Sequence, residues 1–177
     1  MSVITEDILI QILKDHIHGK ESKVCVTEAL LEAAKRHQVE GIVFYQTKVD
    51  FLEKAYYAAV YYDIQRRALY KEIQNMLMDN KIQYFSVKGL AIADYYPMPA
   101  LRTMGNIDLV VKDKENVKNL LITIGYSFNE EEFNGWFNEW HFFKHGVEFE
   151  LHDHLMYEQS LIPIEEVVIF QKDGKQI

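Results

Sequence analysis

The stretch Val87–Val111, with the sequence VKGLAIADYYPMPALRTMGNIDLVV, decides the fold because it ends in a strand whose two faces differ. Side chains alternate between the faces of a strand, so Asn106 and Asp108 share one face and the apolar residues next to them form the other. Two acidic side chains in these positions would hold a metal ion, but this chain supplies one acid and one amide. The sequence therefore predicts a site and also a defect in that site.

Upstream of this stretch, the pattern of apolar residues is typical of helices. The spacing predicts helices at about residues 6–16 and 28–37, the second with Thr27 as its N-cap. A third, long amphipathic helix is predicted to begin near Asp50, which forms a capping box with the glutamate three residues later. We therefore expect residues 1–80 to form a helical N-terminal subdomain.

From residue 81 onward, the apolar period changes towards that of strands. The predicted elements of this second part, 81–177, are, in chain order, a strand at 82–87, a short helix at 89–95, a strand at 106–111, a helix at 113–124, and strands near 141–144 and 147–154. Asp113 is predicted to cap the second of these helices, and Gly125 to end it. The pattern predicts an α/β (α+β) fold, in which a helical N-terminal part precedes a small mixed β-sheet flanked by helices.

The strand predicted at 147–154 carries a second set of polar side chains. They alternate with apolar residues and therefore share one face of the strand. These polar residues are Glu148, Glu150, His152 and His154. If this face adjoins the earlier polar face, Glu150 is our choice for a further ligand of a hard metal ion, because such sites collect oxygen atoms from separate segments. A zinc site formed by Glu150, His152 and His154 is an alternative, because imidazole suits zinc.

Composition limits the classes of function. The chain has 177 residues and a single cysteine, Cys25, which excludes an intrachain disulfide framework and favours a reducing cytoplasm. We expect this thiol to be buried. No run approaches the roughly 18–20 apolar residues that cross a bilayer, and no signal-type segment is present, so we expect no membrane association. The net charge of −8 disfavours extended binding to a nucleic-acid backbone but allows a local nucleotide pocket.

Three elements, in order and spacing, carry a resemblance to a known family. They are a Lys-Gly turn, an Asp-x-Asp-like strand and a Glu-Leu-His strand, formed here by Lys88-Gly89, Asn106-Ile107-Asp108 and Glu150-Leu151-His152, with a Tyr96-Pro97 loop and Arg102 between the first two. Over about residues 80–155, this pattern resembles the uncharacterised nucleotidyltransferase family of the polymerase-β-like superfamily. The resemblance assigns residues 81–177 as the catalytic core. Similar proteins often continue beyond the equivalent of Ile177, so a C-terminal truncation is one expectation.

The resemblance implies a transferase that moves a nucleoside monophosphate from a nucleoside triphosphate (NTP, ATP included) to an acceptor, with pyrophosphate as leaving group. Such chemistry uses two divalent ions, Mg²⁺ or Mn²⁺, about 3.5–4 Å apart. Asn106, Asp108 and Glu150 match the positions implied to be catalytic and metal-binding. The residues implied to bind phosphate are Lys88, Gly89 and Arg102.

Asn106 departs from the family pattern, which has its first aspartate there. An amide oxygen can ligate a hard cation but brings no negative charge, so metal affinity should fall. Three interpretations stay open: an engineered change that traps substrate without turnover, a natural loss of activity, or a tolerated replacement of a ligand.

Two other classes of function compete with an active nucleotidyltransferase. One is a non-catalytic nucleotide- or protein-binding module that keeps the fold, and the other is a sugar transferase with an Asp-x-Asp metal motif. The second normally has a doubly wound nucleotide domain upstream, where this chain is predicted to be helical. The acceptor is not specified by the resemblance: a protein side chain, a small molecule such as an antibiotic or a sugar, and an RNA end all fit.

Overall fold

The computed structural model describes residues 3–128, 139–153, 171–172 and 175–176. Within these residues the α-helices are α1 Val3–Ile17, α2 Glu28–Arg36, α3 Glu40–Thr47, α4 Glu53–Asp79, α5 Gly89–Ala93 and α6 Lys114–Thr123. The strands are β1 Tyr84–Val87, β2 Asn106–Val111, β3 Ser127–Phe128, β4 Trp140–Lys144, β5 Val147–His152, β6 Gln171–Lys172 and β7 Lys175–Gln176. Short 3₁₀ helices lie at Asp50–Leu52 and Pro99–Leu101. No helix in the described part is long and apolar enough to span a membrane.

The chain divides into two compact units. The first contains Met1–Gln65 and Ala93–Thr103, and the second contains Arg66–Ile92 and Met104–Ile177. Helix α4 gives its first half to one unit and its second half to the other. The division between 1–80 and 81–177 stays a prediction from the sequence.

The first unit is helical, and α1 packs against both α2 and α3. Helix α2 begins where expected, because the hydroxyl of Thr27 accepts a hydrogen bond of 3.3 Å from the backbone N–H of Leu30. The core of this unit consists of buried apolar side chains, namely Leu9, Ile12, Leu30, Ala33, Ala34, Ile42, Val43, Leu52 and Leu101. Their burial provides the main stabilisation of this unit.

A buried histidine lies among these helices. His16 is 1% exposed, and its Nδ1 lies 3.4 Å from Nε2 of Gln46. Its Nε2 is buried without a hydrogen-bond partner among the described residues. Burial lowers the pKa of this imidazole from its ordinary value of 6.5, so the folded unit favours the neutral ring.

The lowered pKa of His16 predicts a loss of stability in acid. The unfolded chain binds a proton on His16 more readily than the folded chain does. The contribution of His16 to the free energy of unfolding is therefore complete above the unfolded pKa of about 6.5 and is lost as the pH falls through the folded pKa. We expect the melting temperature to drop between about pH 7.5 and pH 5, and His16→Gln to remove part of that drop. The exposed His18→Gln is the matched control. Equal pH dependence in native chain and His16→Gln would contradict the prediction.

In its described residues, the second unit is organised around a five-stranded sheet with the order β1-β2-β5-β4-β3. Strands β2 and β5 pair in parallel, and the other neighbours pair antiparallel. Apolar residues of the central strands are fully buried, and the rings of Phe142 and Phe149 lie 6.5 Å apart. This apolar layer fixes the register, because a shift by one residue would exchange the two faces of a strand.

The second half of α4 is tied to this sheet by specific contacts. Lys144 Nζ, on β4, donates hydrogen bonds of 2.7 and 2.9 Å to the carboxylate of Glu72 and one of 2.7 Å to the carbonyl of Ile124. The hydroxyl of Tyr126 donates to the carbonyl of Leu69 over 3.5 Å. Burial is the main cause of a raised pKa for the Tyr126 phenol, which keeps it a neutral donor.

The predicted fold class is confirmed, and so are several local signals. Strand β2 has the predicted bounds, the side chain of Asp113 accepts a 3.1 Å hydrogen bond from the N–H of Asn116, and Gly125 has a φ of +89° after α6. Helix α3 was not predicted. Its C-cap is Lys48, with a φ of +54°, and a lysine is not a usual residue for ending a helix in this left-handed conformation. The prediction that Cys25 is buried was wrong, because its segment before α2 is irregular and leaves the thiol exposed.

Candidate active site

Three neighbouring strands bring polar side chains into one row across the sheet. Asp108 on β2 lies opposite Glu150 on β5, and His141 on β4 lies opposite Glu150 from the other side. Side chains directly opposite each other on paired strands share a face of the sheet. In the next row of the same register, Asn106 lies opposite Glu148. The predicted meeting of the two polar faces is therefore present.

Asp108 is the most buried carboxylate of this row, with a side chain that is 1% exposed. Lys88 Nζ donates a 2.8 Å hydrogen bond to its Oδ1, and Nε2 of His152 lies 3.4 Å from the same oxygen. Burial alone would raise the pKa of Asp108, but the contacts with His152 and Lys88 outweigh it and hold this pKa below its ordinary value. The carboxylate is therefore ionised at neutral pH and lies between two cationic side chains.

Lys88 occupies the turn between β1 and α5 in a left-handed conformation, with a φ of +52°. Non-glycine residues adopt this conformation rarely, and functional sites are among the places where they do. The side chain is 63% exposed, although its partner Asp108 is buried. Burial would lower the pKa of the Lys88 ammonium, but the hydrogen bond and charge of Asp108 raise it. The next residue, Gly89, lies close to β2: a Cβ atom there would be 3.2 Å from the carbonyl oxygen of Asn106.

The Lys88–Asp108 pair predicts a measurable change when the lysine is removed. Lys88→Met should raise the pKa of the Asp108 carboxyl and destabilise the fold by about 1–2 kcal/mol, because a buried charge loses a charged hydrogen-bond donor that is itself mostly in solvent. NMR titration of the side-chain carboxyl gives the pKa, and urea unfolding gives the free energy. The exposed Lys23→Met is the control, and an unchanged Asp108 pKa in Lys88→Met would contradict the prediction.

His152 lies two residues after Glu150 on the same face of β5. Its Nε2 is 3.4 Å from Oδ1 of Asp108 and 3.6 Å from Oε2 of Glu150, and its Nδ1 is 3.8 Å from Oε1 of Glu139. The Nε2 atom is buried, and within the described part of the chain it has no hydrogen-bond partner of acceptable geometry. Burial would lower the pKa of this imidazole, but the nearby carboxylates outweigh it and raise the pKa to about 9.

Two overlapping clusters in the described part of the chain have the composition and spacing to hold a metal ion. One contains Asp108, Glu150 and His152, and the other contains Glu139, His141 and Glu150. Within each cluster the ligand atoms lie within 4.8 Å of one another. Glu150 belongs to both clusters and can therefore bridge two ions. His141 Nδ1 lies 2.8 Å from Oε1 of Glu148, a contact that orients the ring.

The other residues singled out in the sequence lie in different places. Asn106 begins β2, half-buried, on the same face as Asp108. Arg102 follows the 3₁₀ helix Pro99–Leu101 and belongs to the first unit, so its role with phosphate stays a prediction. His154 lies outside the described residues, and the zinc alternative that includes it stays a prediction as well.

Sequence reasoning missed Glu139 and His141, although a signal for them exists. The residues between β4 and β5, His145 and Gly146, both have positive φ, as a two-residue hairpin requires. A two-residue turn pairs Lys144 with the residue after the turn, and counting back from that pair places His141 opposite a glutamate of β5. Recognising the turn in the sequence would have predicted that His141 lies beside Glu150, but it gives no signal for Glu139.

The fold and the site together define an α+β protein with a candidate metal centre on the polar face of a mixed sheet. A model of the uncharacterised nucleotidyltransferase family matches residues 26–171, and the chain belongs to this family. The resemblance seen in the sequence is thereby confirmed, and family membership implies an NTP substrate. Searches of curated proteins and of solved structures find no match.

Proposed function

We propose that the protein is a metal-dependent nucleotidyltransferase that moves a nucleoside monophosphate from an NTP to an acceptor, with Asp108 and Glu150 as catalytic residues. In this reaction an oxygen of the acceptor forms a bond to the α-phosphorus of the NTP, and the bond from that phosphorus to pyrophosphate breaks. The observation that carries the proposal is the register of β2 and β5, which sets Asp108 opposite Glu150 in a chain of this family.

The donor atoms at this site fit a divalent cation. The carboxylates of Asp108 and Glu150 approach within 4.8 Å, and Asp108 stays ionised although it is 1% exposed. Two carboxylates this close together favour a bound cation, in addition to the positive charge that Lys88 supplies to Asp108. Asn106, Asp108 and Glu150 would hold Mg²⁺ or Mn²⁺, which when bound offsets phosphate charge and lowers the pKa of an attacking hydroxyl.

The residues of the turn between β1 and α5, Lys88 and Gly89, are suited to binding the triphosphate. The Lys88 ammonium is mostly exposed and sits on a flexible stem, so it can turn from Asp108 to a phosphate oxygen. Gly89 lets this turn lie close to β2, because a Cβ atom there would be 3.2 Å from the carbonyl oxygen of Asn106.

Asn106 makes this a weakened site. An amide oxygen in place of a carboxylate keeps a ligand atom but removes one negative charge, so affinity for the cation falls and transfer is reduced or abolished. The origin of Asn106, whether engineered, a natural loss or a tolerated replacement, does not alter this expectation.

The contact between Lys88 and Asp108 favours an alternative, a non-catalytic module that keeps the fold. Lys88 Nζ lies 2.8 Å from Asp108, and His152 adds a second positive charge, so protein cations already compensate the buried carboxylate. With Asn106 beside them, such a site can persist without a metal ion. This alternative predicts nucleotide or protein binding that does not depend on divalent cations.

Thermal unfolding tests the proposal against this alternative. A ligand that binds the folded state raises the melting temperature by mass action, so NTP and Mg²⁺ or Mn²⁺ together should raise it more than the sum of their separate effects. Asp108→Asn should remove that extra increase. An increase with NTP in EDTA that equals the increase with metal would favour the non-catalytic module.

A further inference from the structure

We propose that His152 is a metal ligand through Nε2 and that the Asp108–Glu150–His152 site takes a divalent transition-metal ion such as Mn²⁺ in preference to Mg²⁺. The inference rests on the proposed function, because it assigns the class of cation at the same site. It starts from one buried atom. In the described residues the Nε2 of His152 is buried and makes no hydrogen bond of acceptable geometry, although carboxylate oxygens of Asp108 and Glu150 lie within 3.6 Å. A divalent cation bound between these three atoms would replace the proton on this nitrogen.

The spacing around this nitrogen is that of ligands around one cation. Metal bonds of about 2.1 Å at tetrahedral or octahedral angles place neighbouring ligand atoms about 3.0–3.5 Å apart. Nε2 of His152 lies 3.4 Å from a carboxylate oxygen of Asp108 and 3.6 Å from one of Glu150. Both separations are close to the ligand spacing and lack hydrogen-bond geometry.

The strand register holds these three side chains ready for one ion. Glu150 and His152 are two residues apart on β5, and Asp108 pairs with Glu150 from β2. The other ring nitrogen of His152 lies 3.8 Å from a carboxylate oxygen of Glu139. At 3.8 Å the Glu139 carboxylate makes no hydrogen bond to the ring, but it adds negative charge beside it, which favours a cation at this site.

The chemistry of the donors decides the class of ion. Mg²⁺ favours oxygen atoms in an octahedral arrangement, whereas imidazole suits transition-metal ions such as Fe²⁺, Ni²⁺ and Zn²⁺. Mn²⁺ is the first member of that series and also suits carboxylate ligands, so both kinds of donor at this site are compatible with it. Asn106 already removes one carboxylate from the oxygen set, which weakens a purely ionic attraction. The His152 nitrogen adds a further ligand to the site, and Mg²⁺ disfavours nitrogen ligands.

Electron paramagnetic resonance with Mn²⁺ alone, without nucleotide, tests this inference on the full chain. The native protein should bind Mn²⁺ about tenfold or more tightly than Mg²⁺ in competition, and its pulsed spectrum should show coupling to a histidine nitrogen. His152→Gln should weaken Mn²⁺ binding about 10- to 100-fold, abolish the coupling and leave Mg²⁺ affinity within about threefold. The exposed His18→Gln should change neither affinity.

Two controls keep the result decisive. His141→Gln should keep the nitrogen coupling, which assigns the coupling to His152 and not to the second cluster. Retained Mg²⁺ binding shows that His152→Gln is folded. If that variant does not fold, nitrogen coupling in both the native protein and His141→Gln would still support His152 as the ligand. Absence of nitrogen coupling, or Mn²⁺ binding unchanged in His152→Gln, would overturn the inference. Because no NTP is present, failure of the proposed transferase activity is a separate result.

Discussion

Replacing Asn106 with aspartate is expected to tighten divalent-cation binding by about tenfold or more and to raise the release of pyrophosphate from NTP. The new carboxylate lies on the same face of β2 as Asp108 and adds a negative charge next to the cation. Pyrophosphate release, followed with each NTP and with Mg²⁺ or Mn²⁺, is the measurement. A large gain would mean that Asn106 disables a site that is otherwise complete.

The matched control adds the same charge elsewhere in the same unit. Asn119→Asp changes an exposed residue of α6 and should leave both cation affinity and pyrophosphate release unchanged. An equal gain in Asn119→Asp would show that net charge, and not the site, causes the effect. No gain in Asn106→Asp would place the lost activity elsewhere and favour the non-catalytic module.

Replacing Asp108 with asparagine is expected to have the largest negative effect, a loss of metal-dependent NTP binding by about 100-fold or more. The substitution keeps size and shape but removes the one ionised ligand of β2, and it leaves the Lys88 ammonium and the His152 imidazole without their shared partner. Fluorescence anisotropy of a labelled NTP, with metal and with EDTA, measures the loss.

A second aspartate provides the control for this substitution. Asp113 caps α6 by accepting a hydrogen bond from the N–H of Asn116, and asparagine caps a helix about as well as aspartate. Asp113→Asn should therefore bind NTP like the native chain. If Asp108→Asn also keeps native binding, the carboxylate is not part of the nucleotide site.

Local sequence signals predicted the parts of this fold that local energetics determine. Strand β2 follows from alternation of apolar residues, and α2 and α6 follow from Thr27 and Asp113, whose side chains satisfy free N–H groups at the helix starts. The candidate pair of Asp108 and Glu150 was also accessible, because alternation fixes which face each side chain occupies. Their placement opposite each other is an outcome of strand pairing, which the sequence suggested and the sheet provides.

The site contacts that the sequence did not predict depend on pairing between segments that are distant in the chain. Nothing near Lys88 in the chain indicates that its ammonium contacts Asp108, and the contact arises because β1 pairs with β2 and ends at Val87. The approach of His152 to Asp108 likewise requires the parallel β2–β5 pair. Such contacts belong to the tertiary structure, so the helix and strand propensities of the residues and the spacing of apolar residues do not predict them.

Calorimetric titration of each NTP into the native chain and into Asn106→Asp, with Mg²⁺ or Mn²⁺ and again with EDTA, would show whether nucleotide binding depends on a divalent cation. We expect NTP binding to require the cation and to be tighter in Asn106→Asp than in the native chain. Absence of NTP binding to both proteins, or binding of equal strength in EDTA, would contradict a metal-dependent nucleotide site at Asp108 and Glu150.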